Sequence, residues 1–423
     1  MDMREIKTKN NVNAEFDIPG SKSYANRALV IAALAKGKTT LTNVPSCDDV
    51  QHMIAVVKKM GVQIEKIDET TYSFIAPEKL RYDGDVYVGL AGTATRFLTS
   101  LCTLGVGKIK IVGEKRLYER PMEDLIEALE TNVDGIIQAE NKTEKGERCP
   151  PLNIDSKGLK GGEIKLKGDT SSQYLTSILL SAPYAYKETT IEIIGELTSK
   201  SYADMTLDVM KDFGVNVVNN DYKNFVVPKK EYVGREYMVE IDATGANYFL
   251  AAAAIAKGKV KINNVNPNSA QGDMKFIDIL EQMGCTITKG KDYFIVENHG
   301  PLKGINVDMN TLPDSAQTLA VLASVAEGST KITGIHNLRV KETDRILAIQ
   351  TELAKCGIKV ETGEDYMIIH GGKPNGAQIK TYDDHRMAMS FAVLGLVVDG
   401  IIIEDPGCVS KSFPEFWDYF EKL

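Results

Sequence analysis

The sequence predicts an α/β protein with two large domains, and three observations lead to this prediction. The chain has 423 residues, more than a single hydrophobic core usually serves. Its 43% apolar and 26% charged residues are typical of a globular protein with a substantial core. A short polar motif followed by a helical pattern also recurs six times, so we expect three copies of the unit in each domain.

The six motifs are small and polar, and their starting positions are separated by 71, 77, 74, 70 and 70 residues. They begin at Gly20-Ser-Lys-Ser, Ala91-Gly-Thr-Ala-Thr-Arg, Gly168-Asp-Thr-Ser-Ser-Gln, Asp242-Ala-Thr-Gly-Ala-Asn, Leu312-Pro-Asp-Ser-Ala-Gln and Tyr382-Asp-Asp-His-Arg-Met. Free backbone N–H groups and the helix dipole favour anions at a helix start. Three such starts in one domain could therefore converge on one cleft.

Each motif is followed by an Ala/Leu-rich segment whose periodicity predicts a buried helix. These helices are predicted at 25–35, 97–104, 174–182, 248–256, 318–326 and 387–397. A glycine that supplies a left-handed residue is expected after four of them, followed by strands that begin near residues 39, 109, 260 and 330; the glycines are Gly37, Gly107, Gly258 and Gly328. More amphipathic helices are then predicted at 48–60, 122–130, 202–213, 274–283 and 342–356, with a strand at 62–67 after the first. The unit is thus βαβα plus further strands, and the turn-rich stretch after residue 219 predicts a domain boundary near residue 240.

Composition excludes several classes of protein. A net charge of −8 argues against a general nucleic-acid binder, which carries a basic face. No apolar run approaches the ~20 residues of a membrane span, and the polar first 13 residues do not resemble a secretion signal. The six cysteines form no C-x-x-C pair, so neither a disulfide framework nor a metal site is indicated. We expect a cytoplasmic protein without nucleic-acid or membrane partners.

Three motifs in the first half of the chain are candidates for anion binding. Lys22, Ser23 and Arg27 lie near a helix start, where they would form a phosphate or carboxylate pocket or simply a solvated, capped helix end. Gly92 would allow a ligand close to the backbone, although a tight turn explains the glycine equally well. Arg120 stands before a proline in a charged loop.

The third motif offers two hydroxyls and an amide in succession, Ser171, Ser172 and Gln173. Capping of a helix explains one hydroxyl but not all three groups. Together they suit the hydroxyls of a polyol or a phosphate ester. Ser199 adds a further hydroxyl within the same repeat.

The most specific motif is the charged run 337–345, Asn337-Leu-Arg-Val-Lys-Glu-Thr-Asp-Arg. Lys341 and Arg345 would share a face of the predicted helix, where like charges repel unless an anion lies between them. Asp314, Arg386 and Lys411 add a carboxylate and two cations in later motif regions. Such a set of cations in an acidic protein predicts a multiply anionic substrate.

In their order along the chain, these motifs resemble the 5-enolpyruvylshikimate-3-phosphate synthase family. The resemblance rests on Gly20-Ser-Lys-Ser, Ala91-Gly-Thr-Ala, Glu119-Arg-Pro, Ser171-Ser-Gln, Arg339-Val-Lys-Glu-Thr-Asp-Arg, Asp384-His-Arg-Met-Ala-Met and Lys411-Ser-Phe-Pro. It implies two domains, 21–240 and 1–20 with 241–423, each an inside-out α/β barrel of three βαβαββ repeats. The helix starts of each domain would face an interdomain cleft.

The resemblance also implies the reaction: transfer of the enolpyruvyl group of phosphoenolpyruvate to the 5-hydroxyl of shikimate 3-phosphate, in aromatic amino-acid biosynthesis. Asp314, Glu342 and Lys22 would be catalytic. The residues implied for shikimate 3-phosphate are Lys22, Ser23, Arg27, Ser171, Ser172, Gln173, Ser199, Asp314, Asn337 and Lys341. Those implied for phosphoenolpyruvate are Lys22, Gly92, Arg120, Gln173, Arg345, Arg386 and Lys411. The family needs no metal or organic cofactor, and a monomer is implied.

Two features depart from the family pattern. Leu90 stands where the family commonly has an asparagine, which affects the expected fit around phosphoenolpyruvate and the response to glyphosate. Tyr24 and Asn26 replace other residues of the first motif.

Two alternatives remain open at this point. One is the related enzyme that transfers enolpyruvate to UDP-N-acetylglucosamine, which typically has a reactive cysteine that neither Cys102 nor Cys149 matches in context. The other is a silent anion-binding protein, against which the acid and base candidates argue, since binding alone needs neither.

Overall fold

The computed structural model describes residues 2–423 and divides into two compact units. We call Gly20–Glu240 the central unit, and Met1–Pro19 together with Ile241–Leu423 the split unit. Among the described residues, no helix has the length and apolar character required to span a bilayer. In the split unit, one continuous cluster of buried apolar side chains extends from Ile6 to Phe420.

Twelve α-helices lie within residues 2–423, and six of them begin at the recurring motifs. They are α1 Lys22–Ala32, α2 Asp48–Lys59, α3 Gly92–Thr103, α4 Glu123–Glu130, α5 Ser172–Ser181, α6 Lys200–Asp212, α7 Ala243–Ile255, α8 Phe276–Gln282, α9 Ala316–Ser324, α10 Arg345–Lys355, α11 His385–Gly395 and α12 Phe416–Glu421.

The strands are short except for one long hairpin. They are β1 Met3–Glu5, β2 Asn13–Asp17, β3 Lys38–Thr42, β4 Gln63–Lys66, β5 Tyr72–Ile75, β6 Gly84–Tyr87, β7 Lys108–Val112, β8 Val133–Lys142, β9 Arg148–Leu159, β10 Gly162–Lys167, β11 Thr189–Ile194, β12 Val218–Asn220, β13 Asn224–Val227, β14 Glu236–Met238, β15 Lys259–Asn263, β16 Thr286–Lys289, β17 Tyr293–Glu297, β18 Asn306–Asp308, β19 Ser329–Thr333, β20 Val360–Thr362, β21 Tyr366–His370, β22 Gln378–Ile379 and β23 Ile402–Glu404.

The sheets confirm a six-fold repeat of βαβαββ type. In the described chain, β6, α3, β7, α4, β8 and β9 form one complete unit, whose sheet has the order β6-β7-β9-β8. The first two strands are parallel and the others antiparallel, as in β10-β11-β13-β12 and β18-β19-β21-β20. Distant strands complete the other units, since β14 joins β3, β2 joins β15, and β1 joins the three-stranded sheet with β23 and β22. Each compact unit therefore contains three of the sheets.

The motif helices are buried almost all round. All residues of α7 are buried, because alanines and aromatic side chains occupy every face. Each of the six begins two to five residues before its predicted start. The apolar pattern locates the body of each helix, whereas the polar motif itself forms the first turn.

Three of the more amphipathic helices begin later than predicted: α4 by one residue, α8 by two and α10 by three. Helix α10 begins at Arg345 and not at Glu342, because the Asp344 carboxylate accepts a hydrogen bond from the backbone N–H of Leu347 at 3.1 Å and caps the helix there. Lys341 has extended backbone geometry and lies outside the helix. The predicted helical face shared by Lys341 and Arg345 is therefore wrong.

The expectation of left-handed glycines holds at three of the four predicted positions. Gly37, Gly107 and Gly328 have φ values of 93°, 123° and 89°. After α7, however, Lys257 takes the left-handed position with φ 53°. Gly258 serves close packing instead, because a Cβ there would lie 2.1 Å from the carbonyl oxygen of Val12.

We predict that Gly258→Ala destabilises the protein, because the added methyl group would force β2 away from α7. Overpacking of this kind costs about 1–3 kcal/mol. Gly300→Ala is the control, since a Cβ there meets nothing within 4 Å. Urea unfolding should give a clearly lower midpoint for Gly258→Ala and a nearly unchanged one for Gly300→Ala. Equal midpoints for the two variants would contradict the packing argument.

Candidate active site

In the split unit, hydrogen bonds join the N-terminal half of α7 to the starts of α9 and α11. The side-chain amide of Asn247 on α7 donates to the Ser315 hydroxyl, directly before α9, at 3.0 Å. The Arg386 guanidinium at the start of α11 donates to the Tyr248 hydroxyl on α7 at 3.3 Å. The helix starts of this unit therefore converge on one place.

Asp314 lies at this point, surrounded by cations. Arg345 Nη1 is 2.9 Å from Asp314 Oδ1, Arg386 Nη2 is 3.0 Å from Oδ2, and Lys341 Nζ is 3.7 Å from Oδ1. Burial by itself would raise the pKa of Asp314, but Arg386, Lys341 and Arg345 outweigh it and hold that pKa well below its usual value. Asp314 is therefore an ionised hydrogen-bond acceptor, and its side chain retains 13% exposure.

Arg345 joins Asp314 to two more carboxylates. Its Nε and Nη2 lie 2.7 and 3.2 Å from Asp384, and Nη2 also donates to Glu342 Oε2 at 2.9 Å. Lys411 Nζ donates to the other oxygen of Glu342 at 2.6 Å. Burial alone would lower the pKa of Arg345, but the three carboxylates raise it above its usual value. Glu342 is thus held between two cations.

A second acidic side chain lies behind Asp314. Ser315 donates its hydroxyl proton to Asp273 Oδ1 at 2.5 Å, and both residues are buried. Burial, followed by the charge of Asp314, raises the pKa of Asp273 to about 6. This network fixes the residue that follows Asp314 in the chain.

The charged run 337–345 has two separate parts. Arg339 donates to Asp344 at 2.7 Å and to the backbone oxygens of Gly363 and Glu364 at 2.5 and 3.1 Å, so it anchors the start of α10. Asn337 is buried in the 3₁₀ turn 336–340. In the other part, Lys341 and Arg345 pair with Asp314, and Glu342 pairs with Arg345.

In the central unit, Lys22 begins α1 and is paired with an acidic side chain that the motif analysis missed. Lys22 Nζ lies 2.9 Å from Asp49 Oδ2, and the two side chains are 12% and 3% exposed. Asp49 belongs to the acidic first turn of α2. Its placement directly at a helix start within the same repeat is the only sequence feature that pointed to it.

Arg27 is buried inside the central unit rather than presented at its surface. Its guanidinium donates to Thr206, the Ser23 carbonyl, Thr176 and the Tyr202 carbonyl at 2.9, 2.7, 3.4 and 2.9 Å. Burial lowers its pKa to about 10. Since a guanidinium has five N–H groups, at most one remains for a ligand, and α1 is tied firmly to α5 and α6.

The residues of the predicted hydroxyl cluster lie at the starts of α5 and α6. Ser171 caps α5, accepting a hydrogen bond from the backbone N–H of Gln173 at 3.3 Å, and Ser172 is the first helical residue. The Gln173 amide donates to Thr93 on α3 at 3.2 Å. Ser199 stands before α6 with φ 53°. Both hydroxyls of the Ser171–Ser172 pair thus lie at one helix start.

Gly92 and Arg120 are in direct contact. A Cβ on Gly92 would lie 2.3 Å from Arg120 Nη1, so only glycine lets this guanidinium cross the start of α3. Arg120 Nη1 also donates weakly to the Leu90 carbonyl at 3.4 Å. This contact uses the backbone of Leu90, and therefore does not depend on the unusual side chain at that position.

Comparisons with known proteins all match the chain to 3-phosphoshikimate 1-carboxyvinyltransferases. Residues 6–420 match the family model described as EPSP synthase (3-phosphoshikimate 1-carboxyvinyltransferase). A 3-phosphoshikimate 1-carboxyvinyltransferase from Vibrio campbellii is 46% identical over 433 aligned positions, covering 100% of this chain and 99% of the relative. One from Vibrio vulnificus is 46% identical, covering 97% of this chain and 96% of the relative.

Solved structures agree with the sequence relatives. An EPSP synthase from Acinetobacter baumannii superimposes with a TM-score of 0.80 at 28% identity, covering 99% of this chain and 98% of that one. A second structure of EPSP synthase from the same organism gives a TM-score of 0.79 at 27% identity, with coverages of 100% and 98%.

We predict that Asp273 makes stability fall as the pH rises. Its folded pKa of about 6 lies above the unfolded value of about 3.9, so the folded state binds the proton more tightly. Stability is therefore lost between about pH 4 and pH 6, and the loss is complete above that window; it amounts to about 3 kcal/mol. Asp273→Asn cannot ionise and should gain in stability relative to wild type across this window.

The measurement is the unfolding midpoint from pH 4 to pH 7.5. Asp278→Asn, at an exposed carboxylate of the same unit, provides the reference for an Asp-to-Asn change. A difference between Asp273→Asn and wild type that stays constant with pH would refute the assignment.

Proposed function

The chain belongs to the EPSP synthase family, and on that premise we propose that it transfers the enolpyruvyl group of phosphoenolpyruvate to the 5-hydroxyl of shikimate 3-phosphate, releasing phosphate. The observation that carries this proposal is the ionised Asp314 among Arg345, Arg386 and Lys341, with Glu342 beside them. A protein that only binds an anion would need cations but no acid or base. A buried carboxylate next to a second acid suits proton transfer as well.

We propose that each unit contributes its own set of contacts to shikimate 3-phosphate. The hydroxyls and cations of the central unit suit a phosphate ester, and the acid and amide of the split unit suit ring hydroxyls. The central-unit residues are Lys22, Ser23, Arg27, Ser171, Ser172, Gln173 and Ser199. The split-unit residues are Asp314, Asn337 and Lys341. Because Arg27 already makes four hydrogen bonds, we assign it at most one contact.

Phosphoenolpyruvate would be bound mainly by guanidinium and ammonium groups. The central-unit residues are Lys22, Gly92, Arg120 and Gln173, and the split-unit residues are Arg345, Arg386 and Lys411. Arginine forks bind carboxylates and phosphates through paired, charge-assisted hydrogen bonds.

Asp314 is the proposed base toward the 5-hydroxyl, although its depressed pKa makes it a weak base in this structure. A substrate carboxylate that binds Arg386 and Arg345 competes with Asp314 for the same N–H groups. This competition weakens their hold on Asp314 and raises its pKa toward the range in which it can accept a proton. Binding of phosphoenolpyruvate would thus activate the base.

The remaining steps move a proton at C3 of phosphoenolpyruvate. Protonation of C3 makes C2 electrophilic, and the 5-hydroxyl oxygen bonds to C2 as its proton passes to Asp314. Loss of a proton from C3 then restores the double bond as the C2–O bond to phosphate breaks. Glu342 and Lys22 are the candidates for proton transfer at C3, and the cations stabilise the charge that develops.

We further propose that the two compact units are the two functional domains of the enzyme, and that each is an inside-out barrel. The family resemblance supports a monomeric, cytoplasmic enzyme that needs no metal or organic cofactor.

We predict release of inorganic phosphate from phosphoenolpyruvate that depends on shikimate 3-phosphate. The assay compares shikimate 3-phosphate, UDP-N-acetylglucosamine and no acceptor. Release with the nucleotide sugar alone, or no release from folded protein, would refute the proposed acceptor.

We predict that Asp314→Asn and Glu342→Gln each lower kcat by about 10²–10⁴-fold, the usual contribution of general acid–base groups. The KM for phosphoenolpyruvate should not rise in Asp314→Asn, because Arg345 and Arg386 lose a competing carboxylate. Glu361→Gln, at an exposed residue of the same unit, is the control and should retain full activity. A rise in KM with unchanged kcat would assign these residues to binding instead.

A further inference from the structure

Arg96 is a buried cation to which neither the motif analysis nor the proposed reaction assigns a role. It lies in α3, is 4% exposed, and its Nε and Nη1 atoms are buried without a hydrogen-bond partner. Its Nη2 is 3.5 Å from the Pro121 carbonyl oxygen, and its Cζ lies 5.8 Å from the centre of the Tyr174 ring. Within residues 2–423, Arg96 forms no salt bridge with a carboxylate.

Burying the Arg96 guanidinium in this way lowers the stability of the folded protein, so folding by itself does not explain it. A guanidinium stays charged at all physiological pH values. Burying a charge without a hydrogen-bonded partner costs several kcal/mol per ion. Arg27 in the same unit shows how burial is normally accommodated, since its guanidinium has four protein acceptors.

The unsatisfied side of Arg96 faces the residues already proposed for phosphoenolpyruvate. A Cβ on Gly92 would lie 2.4 Å from Arg96 Nη1 and 2.3 Å from Arg120 Nη1, so the two guanidinium groups cross the backbone of the same glycine. No side chain caps α3 at Ala91, where the helix dipole is positive. Two like charges at a helix start call for an anion between them.

We infer that Arg96 binds the phosphate group of phosphoenolpyruvate together with Arg120, and that it binds inorganic phosphate in the same place. This inference rests on the proposed function. The charges around the two anion sites indicate that Arg96 and Arg120 bind the phosphate group of phosphoenolpyruvate and not its carboxylate group. The split-unit cluster sets four cations, Lys341, Arg345, Arg386 and Lys411, against three carboxylates, Asp314, Glu342 and Asp384. These carboxylates neutralise most of the positive charge of the split-unit cluster, whereas Arg96 forms no salt bridge in residues 2–423 and keeps its full charge for a phosphate.

The test compares Arg96→Met, which keeps the volume without the charge, with Arg96→Lys, which keeps the charge without the fork. In Arg96→Met, the KM for phosphoenolpyruvate and the inhibition constant of phosphate should both rise about 10-fold to 100-fold. The KM for shikimate 3-phosphate should change less than about 2-fold. Arg96→Lys should recover part of the loss. Arg148→Met is the control, because Arg148 is paired with Glu123 and Glu130 in the same unit.

A second readout does not require turnover. Inorganic phosphate should raise the melting temperature of wild type and of Arg148→Met but not that of Arg96→Met. Without phosphate, Arg96→Met should be at least as stable as wild type. A lower melting temperature with an unchanged response to phosphate would show a purely structural role and overturn the inference. If wild type fails to turn over both substrates, the proposed function falls, while the phosphate response still decides the role of Arg96.

Discussion

The architecture of the split-unit site depends on the buried guanidinium of Arg345. This one side chain, 2% exposed, binds Asp314 before α9, Asp384 before α11 and Glu342 before its own helix. Three carboxylates in three different segments are thereby held within hydrogen-bonding distance of a single planar group. Removing one partner from such a buried network typically costs about 3–5 kcal/mol, because it leaves an uncompensated charge.

Under the proposed function, the same network prepares the site for anionic substrates. Buried cations are expensive to hold without counterions, and the three carboxylates neutralise them until a substrate carboxylate or phosphate competes. In the proposed mechanism, each N–H that Arg386 or Arg345 gives to the substrate instead of to Asp314 makes Asp314 a stronger base. In the proposed mechanism, substrate binding and proton abstraction are therefore linked through shared arginines.

Sequence patterns predicted the repeat and the helix bodies because both follow from apolar periodicity, which is a local property. They also singled out Lys22, Gly92 and Asp314, which lie in recurring motifs, and Arg345, which lies in the charged run 337–345. The contacts that these residues make with distant parts of the chain escaped them. Asp49 lies at a helix start and Asp384 lies in the sixth motif, but their pairing with Lys22 and Arg345, like that of Asp273 with Ser315, became visible only in the folded structure. Lys341 was assigned to a helix because periodicity does not detect the cap at Asp344.

Arg27 and Arg96 show why a motif alone does not separate binding from structural arginines. Both follow a motif start by a few residues, both are on motif helices of the central unit, and both are buried. Their difference lies in the acceptors that other repeats supply. Helices α5 and α6 give Arg27 two hydroxyls and a carbonyl, whereas Arg96 meets a distant carbonyl and Tyr174, and its Nε and Nη1 atoms have no partner. A fold that satisfies one arginine and leaves the other with unused donors next to Gly92 assigns them different tasks. Arg27 holds α1 against α5 and α6 and keeps at most one N–H for shikimate 3-phosphate, whereas we assign Arg96 to anion binding.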